Sequence, residues 1–274
     1  MNVALRLDAP AKLNLSLRVV GRRDDGLHLL ESEMVLLDLA DRLLLMPGCS
    51  GLRVEGVTDG VPPGHDNLAW RGLVAGLGAE PDVACLTLEK RVPRAAGLGG
   101  GSSDSAAAWR LGRAWRGERA APDAEQLAEL AAIGADVPFF AAEVAAARVT
   151  GIGEAVQPAP ATRQHVVLVH PPFTLSTADV FRDLRPGEWG RLENDLLAPA
   201  RRLAPALGDL FALVAAAGGT PRLTGTGPTV FSMHDDPDRA AAVAAAVLAR
   251  GVRATITATR TSATEIERAD EEEL

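Results

Sequence analysis

The chain has 274 residues, of which 47% are hydrophobic and 23% charged, a balance that excludes an intrinsically disordered protein. Its formal net charge of −8 leaves no surplus of basic side chains to neutralise a phosphate polymer. General nucleic-acid and anionic-membrane binding are therefore excluded, whereas a local nucleotide site is not.

In chain order, the start MNVALRLDAPAK lacks the apolar core of a signal peptide. From Lys12 the sequence KLNLSLRV alternates strictly, which predicts a strand with Leu13, Leu15, Leu17 and Val19 on one face and Lys12, Asn14, Ser16 and Arg18 on the other. Arg22–Gly26 reads as a turn, and Glu33–Leu45 as a second strand. Asp66 or Asn67 caps a helix running to Gly76, and Val83–Val92 forms a strand. A helix begins at Ser102 or Ser103 and runs to about Arg116; another spans Pro122–Ala132. The segment Val156–Thr162, with two prolines, marks a domain boundary and divides the chain into 1–158 and 159–274. Beyond it, HVVLVH at 165–170 reads as a buried strand and Asn194–Ala217 as mostly helix. Thr229–Met233, Pro237–Arg250 and Val252–Thr259 then read strand, helix, strand, and the acidic tail ERADEEEL is expected to fray. Cys49 and Cys85 have neither CxxC nor metal-ligand spacing, so reduced thiols in a cytoplasmic protein are expected. No apolar run reaches the roughly 18 residues of a membrane span.

The stretch RAAGLGGGSSDSAAAW at 94–109 concentrates four glycines within 97–101 and then turns helix-like. Glycine weakens local structure, so a bare loop ahead of a helix points to a close approach by something else. Helix N-termini carry unpaired N–H groups and partial positive charge, which suits a phosphate. The loop lacks the lysine of a Walker A sequence, and Ser102 stands where a dinucleotide fingerprint requires glycine. Taken alone it reads equally as a flexible connector or as a tight turn with Ser103 as the helix cap. Asp136, two residues before Pro138, serves either as a helix cap or as a general base. Lys12 on its strand is either a solvated side chain or a charge partner.

The ordered set Pro10–Leu15 (PAKLNL), Pro93–Ser103, Gly134–Pro138 (GADVP) and Leu223–Gly227 (LTGTG) resembles the GHMP kinases, the group of galactokinase, homoserine, mevalonate and phosphomevalonate kinases. Asp25-Gly26-x-His28, Asp66-Asn67-Leu68, Gly151–Glu154 and Asn194-Asp195 are similar to the branch that acts on a cytidyl-diphosphate-linked methylerythritol in non-mevalonate isoprenoid biosynthesis. The resemblance implies an α+β, two-domain fold, with an N-terminal ribosomal protein S5 domain 2-like unit and a C-terminal ferredoxin-like unit. It implies ATP-dependent phosphorylation of the substrate's 2-hydroxyl, with Mg²⁺ as the companion of ATP. The residues expected to bind ATP are Pro93, Arg94, Ala95, Ala96, Gly97, Leu98, Gly99, Gly100, Gly101, Ser102 and Ser103. Lys12 and Asp136 are expected to be catalytic, and Asn14, Leu27, His28, Phe181 and Thr226 to bind the cytidyl substrate. Leu27 departs from the family pattern, which has a base-stacking aromatic there; the chain contains no tyrosine. Another kinase of the group, or a ligand sensor on the same fold, stays open at this point, as does the oligomeric state.

Overall fold

Two sheets organise the computed structural model, which describes residues 3–81 and 84–269; the second is antiparallel, and the first is antiparallel except for the parallel β3–β4 pair. The chain opens with two long strands, β1 (Leu5–Arg22) and β2 (His28–Pro47), followed by β3 (Gly51–Gly56). Helix α1 (Leu68–Leu77), strand β4 (Ala84–Lys90), and helices α2 (Gly100–Trp115), α3 (Ala124–Ala131) and α4 (Val137–Ala141) come next. Strands β5 (Ala146–Gly151) and β6 (Ala155–Pro158) complete the first half. The second half runs β7 (His165–His170), α5 (Thr177–Asp183), α6 (Leu197–Leu203), α7 (Leu207–Ala216), β8 (Arg222–Leu223), β9 (Val230–His234), α8 (Pro237–Leu248), β10 (Arg253–Ala258) and β11 (Glu267–Arg268).

The first sheet has the order β11-β1-β2-β4-β3, with β5 pairing the far half of β2 and β6 beyond it. The second has the order β10-β7-β9-β8, the arrangement of a ferredoxin-like βαββαβ unit. One face of the first sheet buries Leu7, Leu43, Leu45 and Leu86 against Leu73 of α1 and Leu111 of α2. On the second sheet, Val167 and Val169 of β7 pack with the helices, while Val166 and Leu168 face Leu13, Val35 and Leu37 of the first. HVVLVH is apolar on both faces because both are covered.

Boundaries differ from expectation where a local signal was ambiguous. Helix α2 starts at Gly100, not at Ser102 or Ser103, because Gly99 takes the cap position with φ +71°, a conformation open to glycine. The 194–217 segment is two short helices, since Pro205 cannot supply the N–H that would continue α6. The Val156–Thr162 segment begins inside β6 and becomes irregular only after Pro158. Val83 lies outside the described residues, as do 270–274 of the tail. The tail's Glu267 and Arg268 are ordered, pairing with Arg6 and Leu5 of β1. Cys49 and Cys85, expected as reduced thiols, are joined in a disulfide: β4 pairs with the end of β2, which brings Cys85 beside the turn carrying Cys49. Among the described residues no helix is long and apolar enough to cross a membrane.

Candidate active site

Strand β1 delivers Lys12 and Asn14 not to solvent but into a cleft, where they are 3% and 2% exposed. The cleft is a cavity of about 560 Å³, walled by β1, the 93–102 loop, the residues preceding α4, helix α5 and the Gly225-Thr226 turn. Register shifts in β1 at Pro10/Lys12 and Asn14/Ser16 bend the strand as it passes this wall. The Lys12 amide donates to the Leu98 carbonyl at 3.0 Å and the Asn14 amide to Thr224 Oγ1 at 3.2 Å. One strand thus grips both glycine turns. Thr224 Oγ1 in turn donates to the Gly97 carbonyl at 3.1 Å, and Asn194 Nδ2 donates to the carbonyls of Leu223 and Gly225, both at 2.9 Å.

Lys12 Nζ lies 3.4 Å from Asp136 Oδ2 and donates to Asn14 Oδ1. Asn14 Nδ2 donates onward to Ser32 Oγ at 2.8 Å, so both amide atoms of Asn14 are used. Asp136 occupies the cap position of α4, yet its side chain makes no capping hydrogen bond. Of the two roles legible in sequence, its carboxylate serves the cation and the cavity. The approach is close on every side. A Cβ on Gly99 would fall 3.1 Å from Lys12 Cε and 2.9 Å from the Phe140 ring, and one on Gly225 would fall 3.4 Å from Lys12 Nζ.

Residues 93–97 and 99–102 line the cavity, whereas Leu98 and Ser103 turn inward and are buried. Thr226 lines it as well, its hydroxyl 3.2 Å from that of Thr177. Phe181 forms the wall at α5. Leu27 and His28 are not part of the lining; Leu27 is 48% exposed, and His28 stacks on Phe181 with ring centroids 5.2 Å apart. Burial, with the Arg22 charge adding to it, lowers the His28 pKa, which favours the neutral ring.

A buried charge cluster beneath the loop was missed in the sequence. Lys90, the last residue of β4, pairs with Asp41 of β2 and with Asp104 of α2, the latter at 2.7 Å. Asp41 Oδ1 also accepts from the amides of Arg91 and Val92, where the loop departs. Burial pulls the Lys90 pKa down, but the facing charges of Asp104 and Asp41 outweigh it and raise it overall. For Asp104 burial dominates and drives the pKa well above the usual carboxylate range. Lys90 thus answers two buried carboxyl groups at once, under a loop suited to anions. The available signal was Asp41 and Lys90 at inward positions of strands whose neighbouring inward residues are apolar, Leu43 and Leu45 on β2 and Ala84, Leu86 and Leu88 on β4.

Residues 67–143 match the GHMP kinases N terminal domain and residues 178–253 the GHMP kinases C terminal. The chain belongs to the GHMP kinase family. A 4-diphosphocytidyl-2-C-methyl-D-erythritol kinase of Dinoroseobacter shibae is 41% identical to it, covering 86% of this chain and 88% of that one. The enzyme of the same name from Paramagnetospirillum magneticum is 37% identical, covering 87% and 92%. A crystal structure of 4-(cytidine 5'-diphospho)-2C-methyl-D-erythritol kinase superposes with a TM-score of 0.77 at 33% identity, over 93% of this chain and 98% of that one. A homoserine kinase structure from Cytophaga hutchinsonii shares the fold alone, with a TM-score of 0.65 at 15% identity over 97% and 98% of the two chains. As a GHMP kinase with this architecture, the protein is an ATP-dependent phosphotransferase.

Proposed function

We propose that this GHMP kinase transfers the γ-phosphoryl group of ATP to the 2-hydroxyl of 4-diphosphocytidyl-2-C-methyl-D-erythritol, a step of non-mevalonate isoprenoid biosynthesis. The observation that carries the reading is the Lys12–Asp136 pair, 3.4 Å apart on the wall of one cavity with two glycine turns. The relatives supply the substrate class, since they bear that enzyme's name over most of the chain.

In this reading the triphosphate lies along the 93–102 loop, where the first amides of α2 and the absence of Cβ atoms favour phosphate oxygens. The substrate alcohol sits between Lys12 and Asp136. Asp136 accepts the hydroxyl proton as the oxygen–phosphorus bond forms and the bond to the β-phosphate oxygen breaks, releasing ADP. Lys12 stabilises the developing alkoxide, and Asn14, held by Ser32, keeps the ammonium aimed. Among the described residues there is no cluster of three His, Cys, Asp or Glu able to hold a metal. Ser102 lines the cavity with a hydroxyl, a hard oxygen donor, and would flank Mg²⁺ carried in on ATP. The ion, when bound, neutralises charge on the transferring phosphoryl group.

A coupled ADP-release assay with the cytidyl alcohol, mevalonate and homoserine tests the reading. Turnover of the cytidyl compound alone is expected. Robust turnover of mevalonate or homoserine without it would reassign the enzyme within the family, and nucleotide binding without ADP release on any alcohol would make it a sensor.

A further inference from the structure

At the α5 end of the cleft, three rings stand in series. Phe181 lines the cavity; His28 stacks on it at 5.2 Å with planes 26° apart; Trp189 meets His28 edge-on at 5.9 Å and 84°. Each contact is a favoured aromatic geometry, stacked in the first pair and T-shaped in the second. Trp189 itself does not line the cavity. Its indole N–H is buried without a protein partner, an arrangement that costs free energy unless the ring contacts compensate.

The segment carrying Trp189 is clamped on both sides. On one, the Arg202 guanidinium of α6 holds Glu188 and also Asp183, with Nε to Asp183 Oδ2 at 2.6 Å and Nη2 to Glu188 Oε2 at 3.0 Å. On the other, Asp195, fully buried, accepts from the amides of Gly190, Arg191 and Leu192 at 2.6, 3.1 and 3.0 Å, and from Val19 of β1 at 2.9 Å. Its neighbour Asn194 holds the Leu223–Gly225 turn. The Asn194-Asp195 pair therefore holds the backbone just after Trp189 and the second glycine turn from adjacent residues. An unsatisfied indole between two such clamps is a ring whose position matters.

We propose that Trp189 is a positioning residue for the substrate's base: it sets the plane of His28, which sets the plane of Phe181, the ring against which the planar base packs. The inference rests on the cytidyl-substrate reading and deepens it. It accounts for Leu27, which points to solvent at the place where a stacking ring was expected, in a chain without tyrosine. Rigidity supplied from behind Phe181 substitutes for a second ring in front of it, because a pre-ordered face loses less entropy when a base stacks.

Cytidine 5′-diphosphate titrated calorimetrically into the full-length protein, with the ATP site saturated by ADP, tests this independently of turnover. Trp189→Leu is expected to weaken cytidine diphosphate binding about five- to tenfold, the worth of one aromatic contact. Trp189→Phe restores most of the affinity, and ADP affinity stays at the wild-type value in both variants, even though trimming a ring packed against the core lowers the melting temperature of Trp189→Leu. Kinetically, the Trp189→Leu defect falls on KM for the cytidyl alcohol and not on kcat or on KM for ATP. Wild-type affinity in Trp189→Leu overturns the proposal, as does a parallel loss of ADP binding, or a wild-type protein that ignores cytidine diphosphate. A protein that binds cytidine diphosphate through Trp189 but does not phosphorylate the cytidyl alcohol would refute that alcohol as the acceptor and still support the base subsite.

Discussion

Lys12 and Asp136 come from segments more than a hundred residues apart, and each has few other commitments. Lys12 has Asn14 as its second partner, and Asp136 makes no capping hydrogen bond, so neither is explained by local structure. Asp136→Asn keeps the shape of the side chain and removes its basicity. It should lower kcat by at least about 100-fold, in line with base and electrostatic roles, with KM for ATP unchanged; a near-normal kcat would remove Asp136 from the chemistry. The glycine loop needs a different choice of residue. Gly99→Val would collide with Phe140 and Lys12, so its failure would say little about phosphate. Gly101 is the better probe: it lies in the first turn of α2 on the cavity wall, and an added Cβ would meet only Leu68 Cδ1, at 3.3 Å. Gly101→Ala should hold or raise stability, by up to about 1 kcal/mol, because alanine is the better helix former. At the same time KM for ATP should rise severalfold as the methyl group obstructs phosphate approach. Opposite signs in thermal melts and ATP kinetics are the signature; an unchanged KM would mean that the triphosphate does not touch this turn.

At the scale of elements, the loop is held from below by β2, β4 and α2 through Asp41, Lys90 and Asp104. Lys90→Met should destabilise the protein by about 3–5 kcal/mol, because it leaves the Asp41 carboxylate buried without its cation. Adding Asp41→Asn should recover part of that loss, since an amide oxygen still accepts from the Val92 amide while the stranded charge is gone. Urea denaturation of the single and double variants measures both effects, and a double variant no more stable than Lys90→Met would mean that packing, not charge, is what Lys90 supplies. The trio also marks what a sequence can carry. The glycine loop and the Asn67 cap of α1 were legible because each is written within a few adjacent residues. Lys90–Asp104 and Lys12–Asp136 depend on which strand lies beside which helix, and only the family resemblance supplied the second pair. Ser103 misled for a physical reason: serine is a generic cap, whereas the positive φ that makes Gly99 the actual cap leaves no mark beyond the glycine itself.

In the whole molecule, the cleft depends on how two sheets are held together, and β7 is the strand between them. Its inner face packs on the first sheet and its outer face on the helices, and its end residue His170 pairs in register with Arg253 of β10. His170 Nε2 lies 3.1 Å from Thr255 Oγ1, while Nδ1 is buried without a protein partner. Burial, aided by the Arg253 charge, lowers the His170 pKa from 6.5 to about 4. The folded state then binds this proton less tightly than the unfolded chain does, so the neutral ring contributes fully above pH 6.5. Below that the unfolded state gains a proton that the folded state refuses, and the contribution is lost as pH falls toward 4. The span corresponds to at most about 3 kcal/mol. His170→Gln keeps a hydrogen-bonding group of similar reach toward Thr255 without a titrating ring. Urea denaturation of wild type and His170→Gln at pH 7.5 and 4.5 should therefore show a smaller acid-induced loss in the variant, even if glutamine packs less well at both values. Equal losses would mean that the seam between β7 and β10 does not sense this proton, and that acid acts through carboxylates elsewhere.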